Sequence, residues 1–178
     1  AQTGLTYLYG SPNVKRFRPL LVPAAAILLA ALLNLFFLMN IHVPSGSMEP
    51  TIPAGSMLLG NRTAYWFEDP MPGDVVVFQH SAAGGRLLIK RIIAVPGQTF
   101  AILEGRVYLD GQLLPEEYVL DFSADEYPET QIPEGCYLVL GDNRPVSMDS
   151  RFWEDPFIRR EDILARALFI YYPRFYRL

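Results

Sequence analysis

The sequence has few of the residues on which metal and redox sites are built. Its one cysteine, Cys136, has no partner for an internal disulfide and rules out a cysteine-type metal site. Its two histidines, His42 and His80, lie far apart and lack the close spacing of a helical metal pair. No metal and no cofactor is therefore expected. Lysine is nearly as scarce. Lys15 and Lys90 are the only two among 15 basic residues, which leaves Lys90 as the single lysine after the long apolar run. There is no dense basic tract, and the net charge is −4, so nucleic acid is a poor candidate partner. Internal repeats are missing as well. The 51% apolar and 13% aromatic content argues against disorder. A chain of 178 residues suits one globular domain plus an additional element.

The additional element is apolar. "LLVPAAAILLAALLNLFFLM", residues 20–39, carries no charge, and Asn34 is its only polar side chain. At ~1.5 Å per residue such a run spans ~30 Å, the thickness of a bilayer core. Pro23 lies near its start, where a helix tolerates proline best. A cleaved signal peptide would have a shorter apolar region followed by a small-x-small site. Here the small residues lie inside the run and "NIHVP" follows, so a retained transmembrane helix over residues 20–40 is expected. Lys15, Arg16 and Arg18 precede it, and no lysine or arginine follows until Arg62. The positive-inside rule then places residues 1–19 in the cytoplasm and residues 41–178 on the extracytoplasmic face of the cell membrane. The chain opens on Ala1 rather than Met, as a trimmed or engineered start would.

The remainder reads as β-rich. "DVVVF" (74–78), "RLLIKRIIAV" (86–95), "RVYLDGQLL" (106–114), "CYLVL" (136–140) and "ARALFIYY" (165–172) are short apolar, β-branched or aromatic runs bounded by Gly, Pro and Asp. Asp110–Gly111 marks a tight hairpin. "REDILARA" has room for one helical turn. Residues 121–133, acidic and proline-containing, read as a solvated loop of a small subdomain.

Three stretches carry chemistry. In "HVPSGSMEPTIPAG", residues 42–55, Ser45 and Ser47 flank Gly46 between two prolines. If the segment is extended, both hydroxyls face one way. One could attack a carbonyl while the other donates to the developing oxyanion. A solvated turn uses the same residue types. Lys90 sits in an apolar strand, with Leu88 and Ile92 on its side and Arg91 opposite. Burial there would lower its pKa toward that of a general base, although a lysine at a strand edge can also reach solvent. "GDNRPVSMDSR", residues 141–151, packs Asp142, Arg144, Ser147, Asp149 and Arg151 into one loop. Such a loop can orient a buried lysine, or it can be a surface turn with exposed ion pairs of little value.

Together these stretches resemble the type I signal peptidases, the membrane-bound Ser-Lys proteases of bacterial export. "PSGSMEPTI" is similar to the family's nucleophile motif, "PGDVVVF" to its next box, "LIKRIIAVPGQ" to its lysine motif and "GDNRPVSMDSR" to its last. They occur in family order behind one span. The resemblance implies a mostly β, signal-peptidase-like catalytic domain with a small β-rich insertion, here within residues 99–135, behind one N-terminal transmembrane helix. It makes Ser47 the nucleophile and Lys90 the general base. Ser45 would supply an oxyanion-hole hydroxyl, Ser147 would orient Lys90, and Asp142, Arg144, Asp149 and Arg151 would support the site. Pro145 and Val146 replace the Asp and Asn of the family's "GDNRDNS" form, which puts local loop hydrogen bonds in question.

The implied activity is a serine endopeptidase that removes signal peptides after an Ala-x-Ala-like motif, with pre-proteins and the lipid bilayer as partners. Ser47 follows the span so closely that even an extended chain carries it only ~25 Å away, so its substrate should emerge from the same membrane. Residues 52–58 are expected to help form the side-chain pockets. Trp66, Phe67 and the tail "YYPRFYRL" read as either interfacial or core aromatics. Three alternatives stay open: a Ser-Lys peptidase for another exported substrate such as a pilin precursor, a non-catalytic membrane-tethered β domain, and a serine protease using His42 or His80.

Overall fold

A computed structural model describes residues 12–178, with side chains from residue 20 onward. The charged residues 15, 16 and 18 therefore fall outside the described side chains, and most of the N-terminal lead lies outside the described residues. The chain divides between Phe36 and Phe37 into two units. The first holds α1 (Pro12–Phe37) except for its last residue. Its Leu20–Phe37 stretch has a mean hydropathy of 2.5 and is the one described helix long and apolar enough to cross a membrane.

The helix stops three residues short of the expected end. Leu38–His42 is strand β1 instead. Met39 and Ile41 are buried and Asn40 and His42 exposed. That two-residue period belongs to a half-buried strand and would scatter these side chains around a helix.

The second unit is built on antiparallel strands. After β1 come β2 (Met57–Asn61), β3 (Val75–Gln79), β4 (Leu87–Ala94), β5 (Thr99–Leu103), β6 (Arg106–Leu109), β7 (Gln112–Leu113), β8 (Tyr127–Gln131), β9 (Cys136–Leu140), β10 (Phe157–Arg159), β11 (Ile163–Tyr172) and β12 (Tyr176–Arg177). The larger sheet runs β1-β2-β11-β3-β4-β9-β10, with β12 added to β11. The smaller sheet runs β7-β6-β5-β8. The helical turn in "REDILARA" is a short 3-10 turn, Arg160–Asp162.

β3 shows why the apolar runs are continuous rather than alternating. Val75 and Val77 enter one apolar cluster with Met48, Leu58 and Ile89, while Val76 and Phe78 enter another with Ile92, Val139 and Ile158. Both faces of the strand are buried, so no polar residue is tolerated on either. A third cluster joins Phe100, Ile102 and Val107 of the smaller sheet to Ile93, Leu138 and Leu140 of the larger. The two sheets share that core.

β8 lies where a solvated loop is expected. Thr99, Phe100 and Ile102 of β5 pair with Gln131, Thr130 and Tyr127. "YPETQ" is mostly exposed and forms the sheet's outer strand, so its backbone pairing leaves little hydrophobic trace in the sequence.

Candidate active site

The segment between β1 and β2 is a compact turn rather than an extended stretch. Glu49 N–H donates to Gly46 O at 3.1 Å and Ile52 N–H to Met48 O at 2.7 Å. Val43 N–H reaches Ser56 O at 2.9 Å and Gly55 N–H reaches Val43 O at 2.8 Å, closing the base of the turn. Met48 and Ile52 are fully buried and anchor it to the core. Ser47, one residue before this anchor, is held in place with only 8% of its surface exposed.

Forty-three residues further on, β4 brings Lys90 to the same point. Lys90 Nζ lies 2.6 Å from Ser47 Oγ, and Lys90 is 4% exposed. Burial pushes the Lys90 pKa down to about 8. The carboxylates of Asp149 and Asp142 oppose that shift, and the Arg151 guanidinium assists it. At an ordinary ~10.4, about one lysine in 2,500 is neutral at pH 7; at about 8, roughly one in ten is. A neutral amine at this distance can accept the serine proton. Ser45 is exposed, and its hydroxyl stands 3.4 Å from that of Ser47. His42 and His80 line the same cleft, yet the described partners of the Ser47 hydroxyl are Lys90 and Ser45. His80 Nδ1 instead accepts from Ala82 N–H.

The loop after β9 grips the serine turn from behind. Asn143 N–H donates to Ser47 O at 3.1 Å, and Asn143 Nδ2 donates to Gly46 O at 3.0 Å. Gly141 lies so close beneath that an added Cβ would overlap the Ser47 carbonyl oxygen and Ser147 Oγ and stand 2.6 Å from Ser147 Cβ. Glycine is required there for space, whatever its dihedral angles. The loop is itself pinned: Gly141 N–H donates to Asp149 Oδ2 and Arg144 Nε to Gly141 O, each at 2.9 Å.

Ser147 is brought to the site but not to the expected bond. It is 2% exposed, and its hydroxyl has no hydrogen-bond partner among the described residues, Lys90 included. The four charged loop residues are paired, mostly with residues outside the loop. Asp142 takes both Nε (2.9 Å) and Nη2 (2.6 Å) of Arg91. Arg144 binds Glu116, with Nη1 to Oε2 at 3.1 Å. Arg151 binds Asp149 at 2.8 Å and Asp125 at 2.6 Å. Exposed ion pairs are thus excluded for this loop. Asn143, Arg91, Glu116 and Asp125 escape the sequence reading. Asn143 and Arg91 lie within the recognised stretches, but only their contacts show what they hold.

Ser47 and Lys90 open into a cleft of about 900 Å³. One wall is the chain from Asn40 to Ser45, and the other is residues 80–83 with Arg86 to Ile89. Met148, Phe152 and Trp153 also line it. Residues 52–58 do not: Ile52 and Leu58 are fully buried in the core behind the turn. Trp66, Phe67 and Phe175 are exposed, with Phe67 at 94%, so they are not core aromatics; Tyr176 does pack against the core.

The sequence profile described as "Signal peptidase, peptidase S26" matches residues 16–172. The chain belongs to the signal peptidase family. A probable signal peptidase I-1 of Synechocystis sp. is 39% identical over 167 residues, covering 90% of this chain and 83% of that protein. A second from the same organism, a probable signal peptidase I-2, is 37% identical over 83% of this chain and 69% of its own length. Signal peptidase I of Leptolyngbya laminosa is 34% identical over 74% of this chain and 68% of its own length. The chain is accordingly a serine endopeptidase that removes signal peptides from pre-proteins. Its apolar helix and its family together mark it as membrane-anchored.

Proposed function

We propose that this signal peptidase works through Ser47 as nucleophile and Lys90 as general base. The observation that carries this reading is the buried 2.6 Å contact between Lys90 Nζ and Ser47 Oγ at the edge of an open cleft. Neutral Lys90 takes the Ser47 proton as Oγ attacks the scissile carbonyl. The tetrahedral oxyanion accepts from the Ser45 hydroxyl and the Ser47 backbone N–H, each such donor being typically worth ~3–4 kcal/mol. Lys90 then protonates the leaving amine and is neutral again, so the Lys90 amine can take a proton from the water that hydrolyses the acyl-enzyme. Asp142, Arg144, Asp149 and Arg151 hold the loop and move no proton.

Ser147 orients the Lys90 amine once substrate is bound, since catalytic hydrogen bonds are often incomplete in the free enzyme. Its buried hydroxyl, unpartnered among the described residues, supports this: such a group costs about 1–3 kcal/mol, and a bond formed in the substrate complex accounts for its retention. The Ser147→Ala enzyme is therefore expected to lose roughly 10-fold to 100-fold in kcat. Its thermal midpoint should stay the same or rise. Unchanged turnover in the folded variant would remove Ser147 from the mechanism.

The substrate enters extended. Among the described residues β1 is paired only by β2, and residues 87–90 of β4 only by β3, so two half-used backbone edges flank the cleft. An extended chain can add to such edges. The floor near Ser47 includes Val43, Val77 and Ile89, all buried, so a side chain pointing down meets packed core. This favours cleavage after a small-x-small motif. Replacing the residue just before the cleavage point of a pre-protein, Ala by Phe, should stop processing; equal cleavage of the two would refute the motif. The three basic residues before the apolar run favour a cytoplasmic N-terminus, with the catalytic unit outside. Protease added outside cells with a permeable outer layer should digest the catalytic unit, and its full protection would reverse the topology.

A further inference from the structure

The catalytic loop is held from outside by a segment that none of the motifs covers. Residues 114–126 run from β7 to β8, crossing from the smaller sheet to the loop and back. At one end Glu116 is buried, and its carboxylate takes both Nη groups of buried Arg144 and the Tyr118 hydroxyl. The Tyr118 ring lies under the guanidinium of Arg91, 4.1 Å from ring centroid to Cζ, and Arg91 in turn holds Asp142. At the other end Asp125 and Ser123 both take Arg151 Nη1, at 2.6 and 2.8 Å.

The segment is itself fixed to the smaller sheet. Glu104 N–H, in the β5–β6 turn, donates to Glu126 Oε1 at 2.9 Å. The Phe122 ring stacks on Arg106, at 3.8 Å from centroid to Cζ. Gly105 leaves the room that Ser123 O occupies; a Cβ there would overlap it.

The two arginines it grips act directly on the site. Arg144 Nε holds Gly141 O, beneath the Ser47 carbonyl and the Ser147 hydroxyl. Arg151 Nη2 holds the carbonyl oxygens of Arg144 and Ser147, at 2.9 and 3.3 Å. Contacts therefore run without a break from the smaller sheet to the backbone of Ser47 and Ser147.

We infer that residues 114–126 are a strap through which the smaller sheet positions the reacting serine, with Glu116 and Asp125 as its two positioning residues. Neither touches substrate; each acts through one arginine of the loop. This rests on the assignment of Ser47 and Lys90. The strap predicts a specific kinetic signature. Loosening it displaces the nucleophile from its attacking position but leaves the two long cleft walls, 40–45 and 80–83 with 86–89, in place; Met148, Phe152 and Trp153, on or beside the loop, form the smaller part of the lining. Turnover should fall far more than substrate affinity.

The test is the full membrane-anchored chain acting on a purified pre-protein, with kcat and KM measured separately at a temperature where each variant is shown by thermal unfolding to be folded. Glu116→Ala and Asp125→Ala should each lose roughly 10-fold to 100-fold in kcat, with KM within about twofold. Glu116→Gln keeps the shape and one acceptor for Arg144, and should recover part of the loss. Glu116→Ala leaves the buried Arg144 without its carboxylate, a strongly destabilising change; Asp125, a third exposed in its pair with Arg151, provides the second variant. Folded variants with unchanged kcat, or with loss confined to KM, overturn the strap. A Ser47→Ala enzyme that still cleaves overturns the site assignment instead, so the two failures are distinguishable.

Discussion

The Ser47→Ala enzyme is expected to show no pre-protein cleavage above background, a loss on the order of 10⁴-fold or more in kcat. The magnitude follows from the site's construction. Ser47 Oγ is the hydroxyl in contact with the buried Lys90 amine, and the Ser45 hydroxyl 3.4 Å away is exposed and has no described contact with that amine. The variant should remain folded and bind pre-protein, because the turn is anchored by Met48, Ile52 and backbone bonds rather than by the hydroxyl. Incubation with purified pre-protein and detection of the shortened product checks it. Cleavage at the normal site by the Ser47→Ala enzyme would transfer the nucleophile's role elsewhere, with Ser45 the first candidate.

Lys90 carries the second large effect, and two substitutions separate its charge from its basicity. Lys90→Met keeps the length and apolar stem and removes the amine. Lys90→Arg keeps a cation but cannot be deprotonated in a protein. Both are expected to reduce kcat by about 10⁴-fold or more. If the lysine served only as a fixed positive charge near the oxyanion, Lys90→Arg would retain much of the activity. The stabilities should move the other way. Burial depresses the Lys90 pKa from 10.5 to about 8, so the unfolded chain binds the proton more tightly between those values and stability rises with pH across that window. Below pH 8 the folded protein bears the full cost of a buried cation, which Lys90→Met removes. That variant should be more stable than the parent in this range while inactive, and the difference should shrink toward pH 10.5. Thermal unfolding of both proteins across pH 7–10.5 measures it.

The stretches that meet at the candidate site were legible because they depend on residue identity within short segments. Two serines about a glycine, one lysine in an apolar strand and a charged loop after "CYLVL" mark separate points of the chain, and folding brings the serine turn, β4 and the loop together. The strands buried on both faces, β3, β4 and β9, were legible for the same reason: burial forces an unbroken apolar run. Elements that spend little hydrophobicity were not. β8 is held by backbone pairing at a sheet edge, so its polar side chains resemble those of a loop. β1 is masked by the apolar run it follows, and only its buried–exposed alternation separates it from helix. The contacts of the strap were beyond reach for another reason. Glu116 and Asp125 look like any acidic residues in a polar stretch, and their value comes from arginines 26 and 28 residues away.

Residues 52–58 show the converse failure. They adjoin the nucleophile in sequence, which made them plausible pocket residues, yet the turn directs Ile52 and Leu58 into the core. The cleft walls come instead from β1, from the segment leading to Ser45 and from β4 with the turn before it. Proximity along the chain predicted contact with the substrate, whereas these side chains contact the core.

The measurement closest to the central claim is the pH dependence of kcat/KM on a purified pre-protein, which reports the free enzyme's essential base. With Lys90 as that base, the profile should rise about tenfold per pH unit at low pH and level off with an apparent pKa of about 8, the value burial gives the amine. A limb near ~6.5 that disappears when His42 and His80 are replaced together would contradict the account, as would one near the ordinary lysine value of ~10.4.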